Sequence, residues 1–387
     1  MPPISLNRRR FLGCSAASLA LSPGALAPPT AGGGPDHPVR VGLIGVGNRG
    51  TNLLRSLLEL PGTVVPVVCD PEPRHRARGQ GIVEKARGQR PEAVEDPRRL
   101  IERNDLDAVI AAVPCDLHES IAGDAVRAGK HVYAEKPLAL TIAGCDRLIA
   151  ESAKAPGVVV HVGFQRRSNP RFQDGVGRIR NGELGALIEA RGSWTSSNGP
   201  LTGHDGWLGR RDRSGDFMVE QAVHIWDVLN WLHGGPPVRA SGWGLRGLFE
   251  REQPGRDVTD HYAVDLAWAD GFRASFSQSY VAPADDNFTG SHLRVLGVEG
   301  GLDFGSGALT FRDRRKARQT IHPGSQNDTR LALEAFLAAV RAETPTPPPI
   351  SLAEARAATL TGLLVRKAVD EARLVTIDEI TGRSTPA

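Results

Sequence analysis

The residues best suited to chemistry begin with a glycine-rich run that can hold a phosphate group. The run Gly45-Val46-Gly47-Asn48-Arg49-Gly50 has the spacing G-x-G-x-x-G. The first glycine permits a tight turn, the second lets the backbone approach a pyrophosphate, and the third permits close helix packing. Such a run is a weak signal by itself. It gains weight here because a strand-like segment precedes it, a helical pattern follows it, and Asp70 lies 20 residues beyond Gly50.

The carboxylate of Asp70 bears on which nucleotide is bound. It ends the second predicted strand, where an acidic side chain can bind both ribose hydroxyls of NAD and repels the 2′-phosphate of NADP. Arg74, Arg76 and Arg78 follow and weaken that preference. The sequence therefore predicts NAD, with NADP as the alternative. The predicted contacts are Gly45, Val46, Gly47, Asn48, Arg49, Gly50, Asp70 and Arg74.

A lysine at the end of another strand is the first candidate catalytic group. Glu135-Lys136-Pro137 lies at the carboxyl end of a predicted parallel strand, the edge at which ligands bind in such sheets. Only six of the 47 basic residues are lysines, which suggests that a compact ammonium is needed at Lys136. Such an ammonium can donate to a substrate hydroxyl and stabilise a developing alkoxide. The alternative is a surface lysine beside a turn.

Two patterns of secondary structure must position these residues. Short apolar, β-branched segments alternate with helical patterns up to about residue 162, which predicts an α/β fold with a doubly wound parallel sheet. Beyond residue 163, helices are predicted at 171–181, 219–232, 329–342 and 352–372. Strand-like runs lie between the second and third of these helices. We therefore predict one domain at 39–162 and a second, mostly antiparallel α+β domain with C-terminal helices at 163–387.

The N-terminus carries a targeting signal. Asn7-Arg8-Arg9-Arg10-Phe11-Leu12 and the apolar run at 11–21 have the order of a twin-arginine signal, which directs export after folding. The alternative is a disordered basic terminus. We expect a signal peptide at 1–27, a flexible tether at 28–38, and a periplasmic or otherwise exported protein. The apolar run is too short to span a bilayer, which takes about 20 apolar residues.

Charge and cysteine content argue against several other classes. The net charge of +3 is accounted for by the three arginines of the leader, so no nucleic-acid partner is indicated. No Cys-x-x-Cys spacing or Cys/His cluster indicates a metal site. Cys69 and Cys115 end predicted strands, where buried thiols are expected, and a single disulfide involving Cys145 or either of them is the alternative. No segment after the leader indicates a stable membrane anchor.

The motifs together resemble the Gfo/Idh/MocA family, the glucose–fructose oxidoreductase and inositol dehydrogenase group, over residues 39–377. The resemblance rests on residues 45–50, Pro114 with His118, 128–132, 135–137, 162–167 and 220–227. It implies an N-terminal Rossmann domain with a doubly wound parallel sheet. It also implies a C-terminal α+β domain with a large, mostly antiparallel, open-faced sheet that covers the nicotinamide.

The resemblance also implies that Lys136 is catalytic, and it draws attention to Glu220 and His224. On a continuous helix these two side chains are four residues apart and share a face, and Asp227 can orient His224. A histidine with a near-neutral pKa can remove a hydroxyl proton as hydride leaves the same carbon. Many relatives have Asp at the position of Glu220, so its role as base, sugar-hydroxyl ligand or orienting group stays open. The alternative for His224 is a buried structural histidine.

Further polar and aromatic residues are weaker candidates. Pro114, His118, Glu135 and Gln165 are predicted cofactor contacts, and Arg166, beside Gln165 at the domain junction, is a predicted substrate contact. Trp194 and Trp207, with His204, lie in a predicted irregular stretch that can form a platform for a sugar ring. Loop aromatics serve equally often in packing.

These features favour an exported NAD(P)-dependent oxidoreductase acting on CH–OH groups of a sugar, cyclitol or related polyol. Because nicotinamide cofactors have no comparable free pool outside the cell, we expect a tightly retained cofactor that a second substrate restores. One alternative is an NAD-dependent glycosidase or lyase with a redox-neutral oxidation–elimination–reduction cycle. A second alternative is a non-catalytic sugar-binding protein. The expected partners are a carbohydrate substrate, the twin-arginine export machinery and further copies of the chain in a homo-oligomer.

Overall fold

The computed structural model describes residues 38–325, 327–344 and 346–382 of the chain. The predicted signal peptide at 1–27, and the predicted tether apart from its last residue, lie outside the described residues. The described chain forms two β-sheets with helices packed on them. None of its helices is long and apolar enough to cross a membrane.

The first sheet has six parallel strands in the order β3-β2-β1-β4-β5-β6. Its strands are β1 (Val39–Ile44), β2 (Thr63–Cys69), β3 (Glu92–Val94), β4 (Ala108–Ala111), β5 (His131–Ala134) and β6 (Val160–Val162). Its helices are α1 (Asn48–Leu58), α2 (Pro73–Arg87), α3 (Pro97–Ile101), α4 (His118–Arg127) and α5 (Ile142–Lys154). This is the predicted doubly wound Rossmann arrangement.

The centre of this sheet creates the crevice that a ligand needs. Strands β4 and β5 are buried throughout, as expected where helices cover both faces of a parallel sheet. Strand β1 lies between β2 and β4, so the strand order reverses there and the chain leaves in opposite directions at the carboxyl edge. Ile44 pairs with both Cys69 and Ala111, which brings the residues after β1, β2 and β4 side by side.

The second sheet has nine strands in the order β14-β13-β12-β11-β7-β10-β9-β8-β15. Its strands are β7 (Leu187–Thr195), β8 (Arg239–Leu245), β9 (His261–Ala267), β10 (Arg273–Ser279), β11 (Gly290–Gly297), β12 (Gly300–Asp303), β13 (Ala308–Phe311), β14 (Gln319–Thr320) and β15 (Val375–Thr376). Neighbouring strands are antiparallel except β7 and β10. The predicted mostly antiparallel sheet is therefore confirmed.

Seven helices accompany the second sheet among the described residues. They are α6 (Pro170–Arg180), α7 (Arg211–Ser214), α8 (Phe217–Glu220), α9 (Val223–His233), α10 (Asp328–Arg341), α11 (Leu352–Glu371) and α12 (Ile377–Thr381). One face of the sheet is buried through residues such as Val264 and Phe276, while Trp243 and Leu296 are exposed on the other face. Helix α10 buries Leu333 and Phe336 in the core of the first domain. The segment 163–387 thus contributes a helix to the first domain.

Two local expectations were wrong. The predicted helix at 219–232 is two helices, α8 and α9, separated at Gln221 and Ala222. Trp194 is not in an irregular stretch but on β7, in the interior of the second sheet. The three described cysteines are buried and unpaired, which agrees with buried thiols rather than a disulfide.

Candidate active site

The glycine loop after β1 is closed on its protein side and open where a phosphate would approach. Gly45 has φ +86°, and a Cβ there would lie 2.2 Å from the Ala112 carbonyl oxygen. A Cβ on Gly50 would lie 1.9 Å from the Gly45 carbonyl oxygen. At Gly47, by contrast, a Cβ would have no atom within 4 Å. The open position directly precedes α1, whose N-terminus stabilises phosphate charge, so the loop fits a dinucleotide.

Asp70 closes the neighbouring strand and faces the same crevice. Its carboxylate is buried and accepts hydrogen bonds from the backbone N–H of Val46 at 2.7 Å and of Glu72 at 2.9 Å. Arg76 and Arg78 donate to backbone carbonyls, those of Asp70 and Val46 respectively. These two arginines are therefore already hydrogen-bonded to the protein, which weakens their expected attraction for a 2′-phosphate. This arrangement favours NAD over NADP.

A cavity of about 720 Å³ lies between the two domains at this edge. It brings together most of the predicted site: Gly45, Gly47, Asn48, Arg49, Asp70, Arg74, Pro114, His118, Glu135, Lys136, Gln165, Trp207, Glu220 and His224. Val46, Gly50, Arg166 and Trp194 are not among its lining residues. A cavity of this volume suits a small-molecule or cofactor site.

Lys136 and Glu220 meet across the domain junction. The Lys136 Nζ donates to the Glu220 carbonyl oxygen and to its Oε1, each at 2.6 Å, and the two side chains are only 12% and 15% exposed. Burial has the largest single effect and disfavours the ammonium, but the neighbouring acidic groups, with Glu220 first among them, together outweigh it and raise the pKa of Lys136. An ammonium has three N–H donors, so one remains for a substrate oxygen.

The break between α8 and α9 makes the Glu220 carbonyl available. In a continuous helix the His224 N–H would donate to that carbonyl. Here it donates to the Gln221 carbonyl at 3.3 Å, which leaves the Glu220 carbonyl to Lys136. Gln221 is held by β10 and the residue after it, because its Oε1 accepts from Gln278 Nε2 at 2.6 Å and from the Tyr280 hydroxyl. Glu220 therefore reaches the site through its contact with Lys136, and not by sharing a helix face with His224.

His224 lies beside this pair as a neutral imidazole. It is 7% exposed, and its Nδ1 is buried without a hydrogen-bond partner among the described residues. Burial, followed by the positive charges of Lys136, Arg166 and Arg49, lowers its pKa well below the usual value. At neutral pH the ring therefore has a nitrogen lone pair that can accept a proton.

The expectation that Asp227 orients His224 was wrong. Asp227 instead accepts from Arg167, with 2.7 Å to Nη2 and 3.0 Å to Nε, and both side chains are buried. Arg167 also donates to Glu354 of α11 at 3.0 Å. Sequence reasoning missed this link because the partners lie 60 and 187 residues from Arg167. It fixes the segment after β6 against α9 and α11.

Glu135 and His118 line the cavity and also contact neighbouring protein groups. Glu135 accepts from Arg49 Nε at 2.7 Å, and Arg49 Nη1 donates to Thr329 of α10 at 2.8 Å. Burial has the largest single effect and opposes the Arg49 charge, but Glu135 and Tyr133 together outweigh it and raise the Arg49 pKa. The two ring nitrogens of His118 lie 2.7 Å from the Pro137 carbonyl oxygen and 3.0 Å from that of Val113. Both groups thus fix the backbone on either side of Lys136.

Gln165 and Pro114 remain available to a ligand. Pro114 precedes a short helical turn on the cavity wall, at the end of the segment that follows β4. The Oε1 atom of Gln165 is buried and has no hydrogen-bond partner among the described residues. A buried carbonyl oxygen of this kind normally finds a donor, and the carboxamide of a nicotinamide or a hydroxyl would supply one.

Trp194 and Arg166 form a platform next to His224. The ring centroids of Trp194 and His224 are 6.3 Å apart. The Arg166 guanidinium lies 5.3 Å from the Trp194 ring centroid and 5.2 Å from that of Phe172. Burial lowers the pKa of Arg166 to about 10, so it stays charged at neutral pH. Neither Trp194 nor Arg166 lines the cavity, so their contact with a sugar or cyclitol ring stays a prediction.

Trp207 lies elsewhere on the cavity wall. It belongs to a segment whose His204 Nδ1 is 3.1 Å from Arg74 Nη2, at the Asp70 end of the cavity. No aromatic contact joins it to Trp194 within the part of the chain that the structure describes. The two tryptophans are therefore not brought together as one platform. In the same described part, no group of three or more His, Cys, Asp or Glu residues could hold a metal ion.

Two segments of the described chain match family models. Residues 39–164 match the oxidoreductase family with an NAD-binding Rossmann fold of the Gfo/Idh/MocA group. Residues 176–303 match the GFO/IDH/MocA C-terminal domain. The first match covers all strands of the first sheet, and the second covers strands β7 to β12 of the second sheet.

Similar proteins include two inositol dehydrogenases. The chain is 28% identical over 277 residues to the NAD(+)-dependent scyllo-inositol 2-dehydrogenase of Bacillus subtilis, covering 70% of this chain and 75% of the relative. It is 26% identical over 361 residues to the myo-inositol 2-dehydrogenase of Thermotoga maritima, covering 89% and 100%. The fold is similar to the crystal structure of a Lactobacillus plantarum myo-inositol 2-dehydrogenase, with TM-score 0.72, 19% identity and coverage of 88% and 99%. The chain belongs to the Gfo/Idh/MocA family of oxidoreductases.

Proposed function

We propose that the protein is an exported NAD-dependent dehydrogenase that oxidises a CH–OH group of a sugar or cyclitol and keeps its cofactor bound between turnovers. The observation that carries this proposal is the meeting of Lys136, Glu220 and His224 on the wall of the nucleotide cavity. The two relatives named above act on inositols, which supports a ring polyol as the substrate class.

The chain's own residues supply the proton chemistry. When bound, NAD⁺ provides the acceptor for the hydride that leaves the carbinol carbon. His224 is neutral because burial lowers its pKa, so it can accept the hydroxyl proton as the C=O bond forms. Lys136 donates its remaining N–H to the same oxygen and stabilises the developing negative charge. Glu220 orients Lys136 through its carboxylate and its main-chain carbonyl.

The proposal also includes export of the protein and retention of its cofactor. The order Arg8-Arg9-Arg10-Phe11-Leu12 supports export of the folded protein, and with it a periplasmic location reached through the twin-arginine machinery. Outside the cytoplasm a released dinucleotide would not be replaced from a free pool. The location between two domains, rather than on one open surface, supports a bound cofactor that a second substrate restores.

A homo-oligomer is also proposed, with a second copy of the chain as the partner. Trp243, Leu245 and Leu296 are about half exposed on the open face of the second sheet. Trp243 and Leu245, two residues apart on β8, form an exposed apolar pair that favours burial against another protein surface. Light scattering on the purified protein should give at least twice the chain mass, and a monomer at all concentrations would contradict this part.

The test of the proposed function starts from the purified exported protein. Acid release followed by chromatography should give NAD in near-stoichiometric amount, and added sugars or cyclitols should raise the nicotinamide absorbance without added cofactor. A second, ketone-bearing substrate should lower it again. Glycoside cleavage without a net absorbance change would favour the redox-neutral lyase cycle instead. Binding of sugars without any absorbance change under all conditions would favour a non-catalytic sugar-binding protein.

A further inference from the structure

We propose that residues 201–209, which we name the strap, hold the dinucleotide by crossing from the second domain to the first over the Asp70 end of the cavity. His204 is the positioning residue at the crossing point. This proposal rests on the proposed function in one respect, that a dinucleotide occupies the cavity. Thr202, Gly203, His204, Asp205, Trp207 and Leu208 of the strap all line that cavity.

The strap is anchored on the second domain by hydrogen bonds to its backbone carbonyls along its length. Arg256 Nη1 donates to the Leu201 carbonyl at 3.1 Å, and Gln253 Nε2 donates to the Gly206 carbonyl at 3.3 Å. The Asp257 N–H donates to the Gly209 carbonyl at 3.1 Å. Because both ends and the middle are held, the strap moves with the second domain.

Apolar packing reinforces this anchor. Leu201 and Leu208 pack on a small core that contains Phe217, Val258 and Tyr280. Tyr280 also donates to Gln221 beside the Lys136–Glu220 pair. The strap and the catalytic groups are therefore carried by one packed unit, so a shift of the second domain moves both.

Among the strap side chains whose polar contacts are described, only His204 contacts the first domain. Its Nε2 lies 3.4 Å from Glu72 Oε2, and its Nδ1 lies 3.1 Å from Arg74 Nη2. Its ring meets the edge of the His75 ring, with 5.2 Å between centroids. Glu72, Arg74 and His75 directly follow Asp70, the predicted ribose ligand. The strap thus closes over the end of the cavity where the adenosine half would lie.

The backbone of the strap is arranged to present His204. Gly203 and Gly206 have φ +68°, and Asp205 between them has φ 58°, a conformation that non-glycine residues seldom adopt. Asp205 Oδ1 lies 3.0 Å from His204 Nε2, which helps to hold the ring in place. A strained turn of this kind persists because its surroundings fix it, as the anchors on the second domain do.

The strap should therefore slow the release of the dinucleotide. A partly exposed polar contact of this kind contributes modestly, so we expect His204→Ala to raise the dissociation rate about fivefold. Glu72→Gln removes the charged partner from the first domain and should also raise the rate. The double variant should be no faster than His204→Ala alone, because both changes open the same contact.

The measurement is dissociation of bound NADH, followed by its fluorescence after mixing with excess NAD⁺. His233→Ala is the matched control, because His233 also contacts an acidic side chain, Asp270, but lies outside the cavity lining. Equal NADH dissociation rates in the His204→Ala, Glu72→Gln and control proteins would contradict the proposed role of the strap while leaving the proposed function intact. Failure of the unaltered protein to bind NADH would instead overturn the proposed function.

Discussion

Replacing Lys136 with methionine tests whether the ammonium acts on the substrate or only holds Glu220. Methionine keeps an unbranched stem of similar length but has no donor. Loss of a donor aimed at a developing oxyanion costs about 10²- to 10³-fold in kcat. The change also leaves the Glu220 carboxylate, 15% exposed, without its partner, which should lower the free energy of unfolding by about 1–3 kcal/mol.

The pH dependence of the residual activity provides a second readout. Burial and then the Lys136 charge lower the pKa of His224, so removing that charge should raise the His224 pKa toward its usual value. A general base is active when neutral, so activity is lost as pH falls through its pKa. The acid limb of kcat/KM should therefore lie below pH 6.5, the usual histidine value, in the unaltered protein and move to higher pH in Lys136→Met.

The double variant Lys136→Met/Glu220→Gln separates catalysis from stability. It removes the unpaired carboxylate, so most of the lost unfolding free energy should return in a denaturant titration, while kcat stays low. NAD affinity, measured by calorimetry, should change little in both variants, because neither side chain is a predicted phosphate or ribose contact. Recovery of kcat together with stability would refute the catalytic assignment of Lys136, as would an unchanged kcat in the single variant.

Three further changes probe the residues that shape the site. Gly50→Ala places a Cβ 1.9 Å from the Gly45 carbonyl oxygen, so NAD affinity in calorimetry should fall about tenfold or more, and unchanged affinity would contradict this packing. Arg167→Met leaves Asp227 buried without its partner, so the unfolding free energy should fall by about 3–5 kcal/mol; a loss below 1 kcal/mol would show that water reaches the pair. Asp70→Ala removes the carboxylate that repels a 2′-phosphate, so the ratio of NADP to NAD affinity should rise about tenfold, whereas an unchanged ratio would remove Asp70 from nucleotide selection.

Most of the fold followed from local sequence patterns. The apolar strand before Gly45 and the leucines at helical spacing after Gly50 predicted β1 and α1, because burial on a sheet selects those periods. Strand β7 escaped prediction because its residues are partly exposed along most of its length and carry no clear alternation. The packing of α10 on the first domain was equally hidden, since an amphipathic helix does not specify which surface it will cover.

The candidate catalytic residues were predicted by type, but not the way they are assembled. Glycine spacing and the scarcity of lysine pointed to the glycine loop and to Lys136, and the family resemblance pointed to Glu220 and His224. Periodicity also suggested a continuous helix and an Asp227 contact with His224, and both expectations failed. The helix breaks at Gln221, which is bound by Gln278 and Tyr280, more than 50 residues away, and no local pattern reports such a contact.

The sequence by itself determined that a dinucleotide-binding sheet comes first, that Asp70 ends its second strand, and that a lysine ends another. These features are local, because turns, strand ends and side-chain chemistry are determined by short segments of the sequence. Only the tertiary structure decided that the Glu220 carbonyl meets Lys136, that Asp227 is bound by Arg167, and that His204 reaches the end of the cavity. Each of these contacts joins residues that are far apart in the chain, and it exists only because both domains pack into one position.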